Sequence, residues 1–229
     1  MKPIVFYGTL FLCVLASCSP DVKSYEHELG VISNPRMYHQ LAEDFPEKKL
    51  VDLETFIPGI TLDIRYAGKN NFTGQRIYPS EKAYLRLPAA RALKEVQHEL
   101  GQQGLGLKIF DAYRPYDATV KFYQVYPDTN FVAAPWKGSR HNRGCAVDVT
   151  LIDLESGEEL EMPTPFDDFT KKAGHNYNDL PMQVIKNRNL LREAMTSKGF
   201  LIYEYEWWHY DFTGWENFGL LNIPFDELI

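Results

Sequence analysis

Cysteine is scarce in this sequence, and its distribution leaves little scope for disulfides. Only three cysteines occur, at positions 13, 18 and 145. Cys13 lies in an N-terminal segment that we expect to be cleaved, and Cys18 would carry lipid, for the reasons given below. Cys145 then has no cysteine partner in the mature chain, so an intramolecular disulfide is excluded. The fold must be held by its apolar core, aided by a metal if one binds.

The sequence also lacks blocks of basic residues, internal repeats and low-complexity stretches. Its formal net charge is −7 at pH 7 and its pI is about 5.4. Together these features argue against nucleic acid as a partner. Apolar residues make up 45% of the chain and aromatic residues 14%. That content can bury one sizeable core in a chain of this length, and we therefore expect one domain.

The N-terminus has the pattern of a targeting segment. Lys2 precedes an apolar run over residues 4–16, which is shorter than the roughly 20 residues of a membrane-spanning helix. The run ends in the sequence LASC at residues 15–18, which resembles a bacterial lipoprotein signal. We predict a signal peptide over residues 1–17, cleavage before Cys18 and lipidation of its thiol. An ordinary signal peptide and an uncleaved anchor are the alternatives.

The remaining chain divides into a polar segment and a compact domain. Residues 18–48 are mostly polar and contain the breakers Pro20, Gly30 and Pro35, which is typical of a tether. A short helix is predicted inside it over residues 40–45. We predict that the domain occupies residues 49–229.

Short strands and helices are interspersed within the domain. Apolar or alternating runs predict strands over residues 51–56, 61–66, 105–110 and 146–152, and a strand-like aromatic stretch over 200–212. Helical spacing of apolar residues predicts helices over residues 88–101, 115–126 and 184–198. This mixture predicts an α+β fold.

The first segment with chemical potential is residues 139–148, with the sequence SRHNRGCAVD. His141 and Asp148 lie seven positions apart, across a glycine, at the start of a predicted strand. Aspartate is depleted in strands, so Asp148 between two valines needs a reason. A salt bridge, a hydrogen-bonded core aspartate and metal ligation are the alternatives.

Two further segments carry candidate residues. Residues 204–210 contain Glu206 and, three positions later, His209 among aromatic residues. A core histidine is the simpler interpretation of His209, and metal ligation is the alternative. Residues 111–115 place Arg114 before a proline that biases it to an extended conformation, with a surface salt bridge as the simpler interpretation.

The three segments are more specific together than apart. Two histidines and one aspartate form a three-ligand zinc set that leaves a fourth position for water. Zinc lowers the pKa of that water toward about 7. A nearby glutamate can accept the proton, and an arginine can stabilise the oxyanion of a tetrahedral intermediate.

These segments resemble the zinc D-alanyl-D-alanine dipeptidase family. The patterns S-x-H-x-x-x-G-x-A-x-D and E-x-x-H, together with residues 63–67, 71–74, 111–115 and 166–169, occur in that family's order. The resemblance covers roughly residues 50–213 and implies a small α+β domain with a central antiparallel sheet flanked by helices. It implies one zinc per chain, held by His141, Asp148 and His209.

The resemblance also implies roles for the other residues. Glu206 would be the general base and later the acid, and Arg114 would stabilise the tetrahedral intermediate. Ser139, Tyr66 and Asp167 would line the substrate pocket, with Asp167 holding the free ammonium of D-Ala-D-Ala.

The expected location affects the expected biological role. Family members tied to vancomycin resistance act on a cytoplasmic D-Ala-D-Ala pool, which a lipid-anchored, periplasm-facing protein of the cell envelope would not reach. We therefore expect hydrolysis of D-Ala-D-Ala in cell-wall peptide turnover or nutrient salvage, with the N-terminal lipid as the sole membrane contact. A D,D-carboxypeptidase acting on longer peptidoglycan peptides and a non-catalytic binder of wall peptides are the alternatives.

Overall fold

The computed structural model of the chain describes residues 22–228. The predicted signal peptide over residues 1–17 and the predicted lipidation site Cys18 lie outside the described residues. No helix between residues 22 and 228 is both long and apolar enough to cross a bilayer.

Six α-helices and seven strands make up the described chain. The helices are α1 Val22–Glu28, α2 Pro35–Asp44, α3 Leu53–Phe56, α4 Leu87–Gly101, α5 Tyr116–Val125 and α6 Met182–Ser197. The strands are β1 Leu50–Asp52, β2 Thr61–Leu62, β3 Tyr84–Arg86, β4 Leu105–Asp111, β5 Ala146–Asp153, β6 Phe200–Tyr203 and β7 Glu206–Phe212. This composition confirms the predicted α+β class.

A five-stranded sheet with the order β2-β4-β5-β7-β6 forms the centre of the domain. Strands β4, β5, β7 and β6 pair antiparallel, whereas the short edge strand β2 pairs parallel to β4. β1 and β3 form a separate antiparallel pair. Residues 146–152 of β5 are all buried, because this central strand is covered on both faces.

Two of the predicted helices, α4 and α6, lie against this sheet. α4 packs against β4 and α6, with Ala89, Leu93, Val96 and Leu100 buried along one face. These positions recur at the spacing of a helix with one apolar side, which is why the sequence pattern located it. α6 packs against β6 and buries Leu191 and Met195.

Two predicted strands are shorter than expected. The segment 51–56 forms a strand only as far as Asp52, whose side chain accepts a hydrogen bond from the backbone N–H of Glu54 at 3.0 Å and caps α3. Residues 61–66 pair for two residues and then turn into a 3₁₀ helix, Arg65–Ala67. The aromatic stretch 200–212 is a hairpin of β6 and β7 rather than one strand.

Residues 24–48, within the predicted tether, contact the domain through a few anchoring residues. Tyr38 is buried, and its hydroxyl accepts a hydrogen bond from the backbone N–H of Leu50 at 2.8 Å. Ile32 donates to the carbonyl of Leu220 and accepts from Asn222. The polar composition hid this packing, because a few apolar anchors without periodicity leave no pattern to detect.

The C-terminal segment is also part of the core. Leu221, Ile223 and Phe225 are buried. The hydroxyl of Tyr113 accepts from the backbone N–H of Ile223 at 2.8 Å and donates to its carbonyl at 3.0 Å. The segment thereby braces the loop between β4 and α5.

Candidate active site and metal centre

One cavity of about 530 Å³ opens on the face of the sheet. Eight residues predicted from the sequence line it: Tyr66, Arg114, Ser139, His141, Asp148, Asp167, Glu206 and His209. The structure therefore brings together every predicted site residue that it describes.

Strand register explains why residues far apart in sequence meet there. Asp148 of β5 pairs directly with His209 of β7, and Asp111 of β4 pairs with Asp148 on the other side. Directly paired residues on neighbouring strands have side chains within contact distance. A row of polar side chains thus runs across three strands, and its members Asp148 and His209 line the cavity.

His141 reaches the same point from a tight turn before β5. It begins a 3₁₀ helix, His141–Arg143, which Gly144 ends at a φ of 68°. A Cβ at Gly144 would lie 2.4 Å from Leu50 Cδ2, so the turn requires glycine for both space and conformation. Ser139 supports the turn, because its Oγ accepts from the N–H of His141 at 3.2 Å.

Three side chains form a compact donor set. The candidate ligand atoms of His141, Asp148 and His209 all lie within 4.8 Å of one another. His141 Nδ1 donates to the carbonyl of Ala112 at 2.7 Å, which leaves the lone pair of Nε2 facing the set. His209 Nε2 donates to Asp211 Oδ1 at 3.0 Å, which leaves Nδ1 facing it. Such partners orient ligating histidines at metal sites.

The electrostatics of this point favour a cation. Burial lowers the pKa of His209, but the carboxylates of Asp211 and Asp148 outweigh it and raise that pKa well above its ordinary value. Burial opposes ionisation of Asp148, yet the neighbouring histidines hold its pKa below the usual range. Two ring nitrogens and a carboxylate converging where positive charge is favoured fit a divalent metal.

Glu206 faces the donor set because β7 bulges. The consecutive residues Ile202 and Tyr203 of β6 pair with Tyr210 and Glu206 of β7, so residues 207–209 form an irregularity that re-aims side chains. Glu206 Oε2 then lies 3.9 Å from His209 Nδ1. In a regular strand, side chains three residues apart point to opposite faces.

The Glu206 carboxyl is buried. Burial raises its pKa to about 8, with a further contribution from the charge of Asp148 and opposition from His209. A cation held by the donor set would lower that pKa toward neutrality, because an opposite charge favours the carboxylate. A group titrating near neutral pH can both accept and return a proton.

Arg114 forms a buried ion pair, whereas the simpler interpretation of the sequence predicts a surface salt bridge. Its Nε and Nη2 lie 3.1 and 2.7 Å from Asp111 Oδ2. Asp111 also accepts from the hydroxyl of Tyr78 at 2.9 Å. The guanidinium lies 4.6 Å from the ring centroid of Phe122. These contacts fix a positive charge at the cavity wall.

Tyr66 and Asp167 meet on the same side of the cavity as Arg114. The Tyr66 hydroxyl donates to Asp167 Oδ1 at 3.0 Å, and the Tyr66 ring lies 5.6 Å from the Arg114 guanidinium. Burial raises the pKa of Asp167 to about 7, with the Tyr66 hydrogen bond opposing the rise. Asp167 has a φ of 62°, an uncommon conformation for a residue other than glycine that often marks functional positions.

Some positioning residues were not identified from the sequence. Asp211 orients His209, and its position two residues later on the same strand face was the available signal. Asn142 donates to the carbonyl of Arg114 at 2.8 Å and accepts from the backbone N–H of Ser139 at 2.8 Å. Nothing in the local pattern indicated that link between two motifs.

Cys145 and His175 lie outside the donor set. The Cys145 thiol is buried, which raises its pKa to about 12. His175 is buried, and its ring centroid lies 6.0 Å from that of Tyr210. Trp208 lines the cavity, whereas the Trp207 indole donates to Thr164 Oγ1 at 3.0 Å in the core.

The fold and this cavity define a class of protein. A mixed sheet presents a His–Asp–His donor set beside a buried glutamate and a buried arginine. This set of site residues is that of a metallopeptidase.

Comparison with known proteins narrows the class. The family model described as D-ala-D-ala dipeptidase matches residues 46–224, and the chain belongs to this family. It is 35% identical to the D-alanyl-D-alanine dipeptidase of Escherichia coli (strain K12) over 79% of this chain and 93% of that protein. It is 31% identical to the D-alanyl-D-alanine dipeptidase of Enterococcus faecalis (strain ATCC 700802 / V583) over 72% of this chain and 91% of that protein. The solved structure of the LD-carboxypeptidase LdcB aligns at 21% identity with a TM-score of 0.42, over 74% of this chain and 70% of that one.

Proposed function

We propose that this protein hydrolyses the dipeptide D-Ala-D-Ala with one zinc ion held by His141, Asp148 and His209. The observation that supports this most strongly is the convergence, in one cavity, of the donor set, the buried Glu206 and the Tyr66–Asp167 pair. Zinc, when bound, supplies a Lewis acid that makes water nucleophilic near neutral pH.

Glu206 acts as general base and then as general acid. Its carboxyl lies beside the donor set and is shielded from bulk water. It takes the proton of the attacking water and returns it to the amine of the departing residue. Both transfers need a pKa close to the working pH, which burial provides.

Arg114 stabilises the negative charge that develops on the carbonyl oxygen. The two bonds to Asp111 use Nε and Nη2 and hold the guanidinium rigidly before substrate arrives. A donor fixed in advance costs no reorganisation when charge develops, and the low local dielectric strengthens its effect.

Asp167 supports a dipeptide as the substrate. Its carboxylate, steadied by Tyr66, lies on the cavity wall near Arg114. The ammonium of a dipeptide is only a few bonds from the scissile carbonyl, so the two charges can pair. Aromatic rings close this side of the cavity: Phe72, Phe122, Phe131 and Phe169 line it, with Phe131 stacked on Phe169 at 5.1 Å.

A comparison of three substrates tests the proposal. D-Ala-D-Ala, its N-acetyl derivative and a longer peptide ending in D-Ala-D-Ala share the scissile bond, but only the first presents an ammonium near Asp167. A charge-assisted hydrogen bond contributes about 1.5–3 kcal/mol, so kcat/KM for the free dipeptide should be about tenfold to a hundredfold higher. Asp167→Asn should remove most of this difference. Equal kcat/KM for free and blocked substrates would instead identify a D,D-carboxypeptidase, and binding without turnover would identify a wall-peptide binder.

We also propose that the enzyme is anchored by lipid on Cys18 at the cell envelope, facing the periplasm, where it would act in wall-peptide turnover. The support is the sequence pattern of residues 1–18. Metabolic labelling with a fatty-acid analogue should mark the wild-type protein and leave Cys18→Ala unlabelled. Cys145→Ala serves as the control and should label like wild type. An unlabelled wild-type protein that fractionates as a soluble cytoplasmic species would contradict the proposal.

A further inference from the structure

The cavity has the Asp167 carboxyl on one side and the accessible Arg140 guanidinium on the other. Asp167 and Tyr66 lie on the side of Arg114, which follows β4. On the other side, next to β7, the lining residues include Arg140 and Trp215. Two strand spacings, roughly 10 Å, separate β4 from β7. Asp148 and His209 of the donor set lie between the two sides, on β5 and β7.

Arg140 stands at the second side with its guanidinium accessible. Its side chain is 44% exposed, and Nε lies 3.6 Å from Asp211 Oδ2, which is longer than a hydrogen bond. The guanidinium carbon lies 4.8 Å from the ring centroid of Trp215. Stacking of this kind restrains the side chain without occupying its N–H groups.

The two other arginines of the cavity are already committed to protein partners. Arg143 donates through Nη1 to the carbonyl of Phe218. Arg114 is bonded to Asp111 through Nε and Nη2. Within residues 24–228, the Arg140 guanidinium donates no hydrogen bond, and its ion pair with Asp211 is 3.6 Å long. Arg140 is therefore the lining arginine best able to bind an incoming anion.

A dipeptide offers an anion at the matching position. An extended dipeptide spans about 7 Å, so an ammonium at Asp167 places the terminal carboxylate toward the side of Arg140, with the scissile bond beside the donor set. Ser139 lies next to Arg140 in the chain and also lines the cavity. A guanidinium matches the geometry of a carboxylate and binds it through two parallel hydrogen bonds.

Resting on the proposed peptidase function, we propose that Arg140, stacked on Trp215, recognises the free C-terminal carboxylate of the substrate's departing residue. Arg140 is thus a specificity-determining residue, and the enzyme requires an unblocked C-terminus. This requirement holds whether the acyl side carries a free ammonium or a longer peptide.

Equilibrium binding to a Glu206→Gln variant loaded with zinc tests the proposal without relying on turnover. Calorimetry would compare D-Ala-D-Ala with its C-terminal amide, and N-acetyl-D-Ala-D-Ala with the corresponding amide. The acid should bind about tenfold to a hundredfold more tightly than the amide in each pair. Adding Arg140→Gln should bring each pair within about twofold, and Arg140→Lys should restore part of the preference.

Two controls separate recognition from indirect effects. Arg91→Gln removes the same charge from an exposed position on α4 and should leave the preference intact. Zinc content must be equal in all variants, because Arg140 also neighbours Asp211, which orients His209.

The outcomes are distinct. An equal loss of affinity for acid and amide in Arg140→Gln, or no preference for the acid in the parent, overturns the proposal. Failure of the dipeptidase function would show instead as N-acetylated and free dipeptides that bind and turn over alike, and the acid–amide comparison would still decide the role of Arg140.

Discussion

Asp211 lies two residues after His209 on the same face of β7, and its Oδ1 is 3.0 Å from His209 Nε2. Because Nε2 donates this bond, Nδ1 is the nitrogen turned toward Asp148 and His141. A carboxylate in this position both fixes the orientation of a ligating ring and increases its basicity. Substitution of Asp211 should therefore weaken metal binding less than substitution of a ligand.

Substitution of the ligands should affect zinc more severely than substitution of Asp211. His141→Ala, Asp148→Ala and His209→Ala should each lose most of the zinc and all measurable activity, with lower stability, because each leaves an incomplete site. Asp211→Asn should retain zinc with an affinity about 10- to 100-fold weaker. Elemental analysis and chelator titration measure both effects. Full zinc content in all three alanine variants would rule out this ligand assignment.

Glu206→Gln should separate catalysis from metal binding. The amide keeps the shape of the side chain but accepts no proton, so kcat should fall by roughly 10²–10⁴-fold or more, while zinc and substrate binding persist. Single-turnover kinetics and elemental analysis on the same preparation test this. Loss of zinc from the variant would show that Glu206 is a ligand, and the proton-transfer role would then have to pass to another residue.

The site could be predicted further from the sequence than the fold could. His141, Asp148, Glu206 and His209 are polar residues in apolar or aromatic surroundings, where burial needs a chemical reason, and the structure places them in one cavity. The bulge at residues 207–209, which turns Glu206 toward the site, depends on pairing with β6. Pairing between strands leaves no trace in a local pattern.

The segments before and after the predicted motifs show the same limitation. His39 contacts the carbonyl of Glu227 at 2.9 Å, across 188 residues of sequence. The polar composition of residues 18–48 predicts a tether. Packing of isolated residues such as Tyr38 depends on partners contributed by distant segments, and sequence periodicity detects only extended faces.

Arg86 should contribute strongly to stability although it lies away from the donor set. It is fully buried and donates to the carbonyls of Arg143, Lys48 and Gly219. Arg86→Met would leave these acceptors unsatisfied at a cost of about 1–3 kcal/mol each. Urea denaturation should show a free energy of unfolding lower by roughly 3 kcal/mol or more.

The matched control for this change is Arg91→Met on the exposed face of α4. It should change the free energy of unfolding by less than about 0.5 kcal/mol. An effect of Arg86→Met no larger than that of the control would contradict the bracing role of Arg86.

The preference for a free ammonium should depend on pH through Asp167. Burial raises the pKa of its carboxyl to about 7, so the group is charged above that pH and becomes neutral below it. The substrate ammonium, with an ordinary pKa of about 8, stays charged throughout the lower range, so acidification removes only the enzyme's side of the ion pair. The ratio of kcat/KM for D-Ala-D-Ala to that for N-acetyl-D-Ala-D-Ala should therefore fall as pH drops through about 7. Taking the ratio cancels the titration of Glu206 and of metal-activated water, which both substrates share.

A bound cation would move the midpoint to lower pH but leave the direction of the change the same. Asp167→Asn should give a low ratio that no longer varies below neutral pH. A wild-type ratio that stays constant from about pH 5 to pH 8, and that Asp167→Asn does not lower, would show that Asp167 does not bind the ammonium.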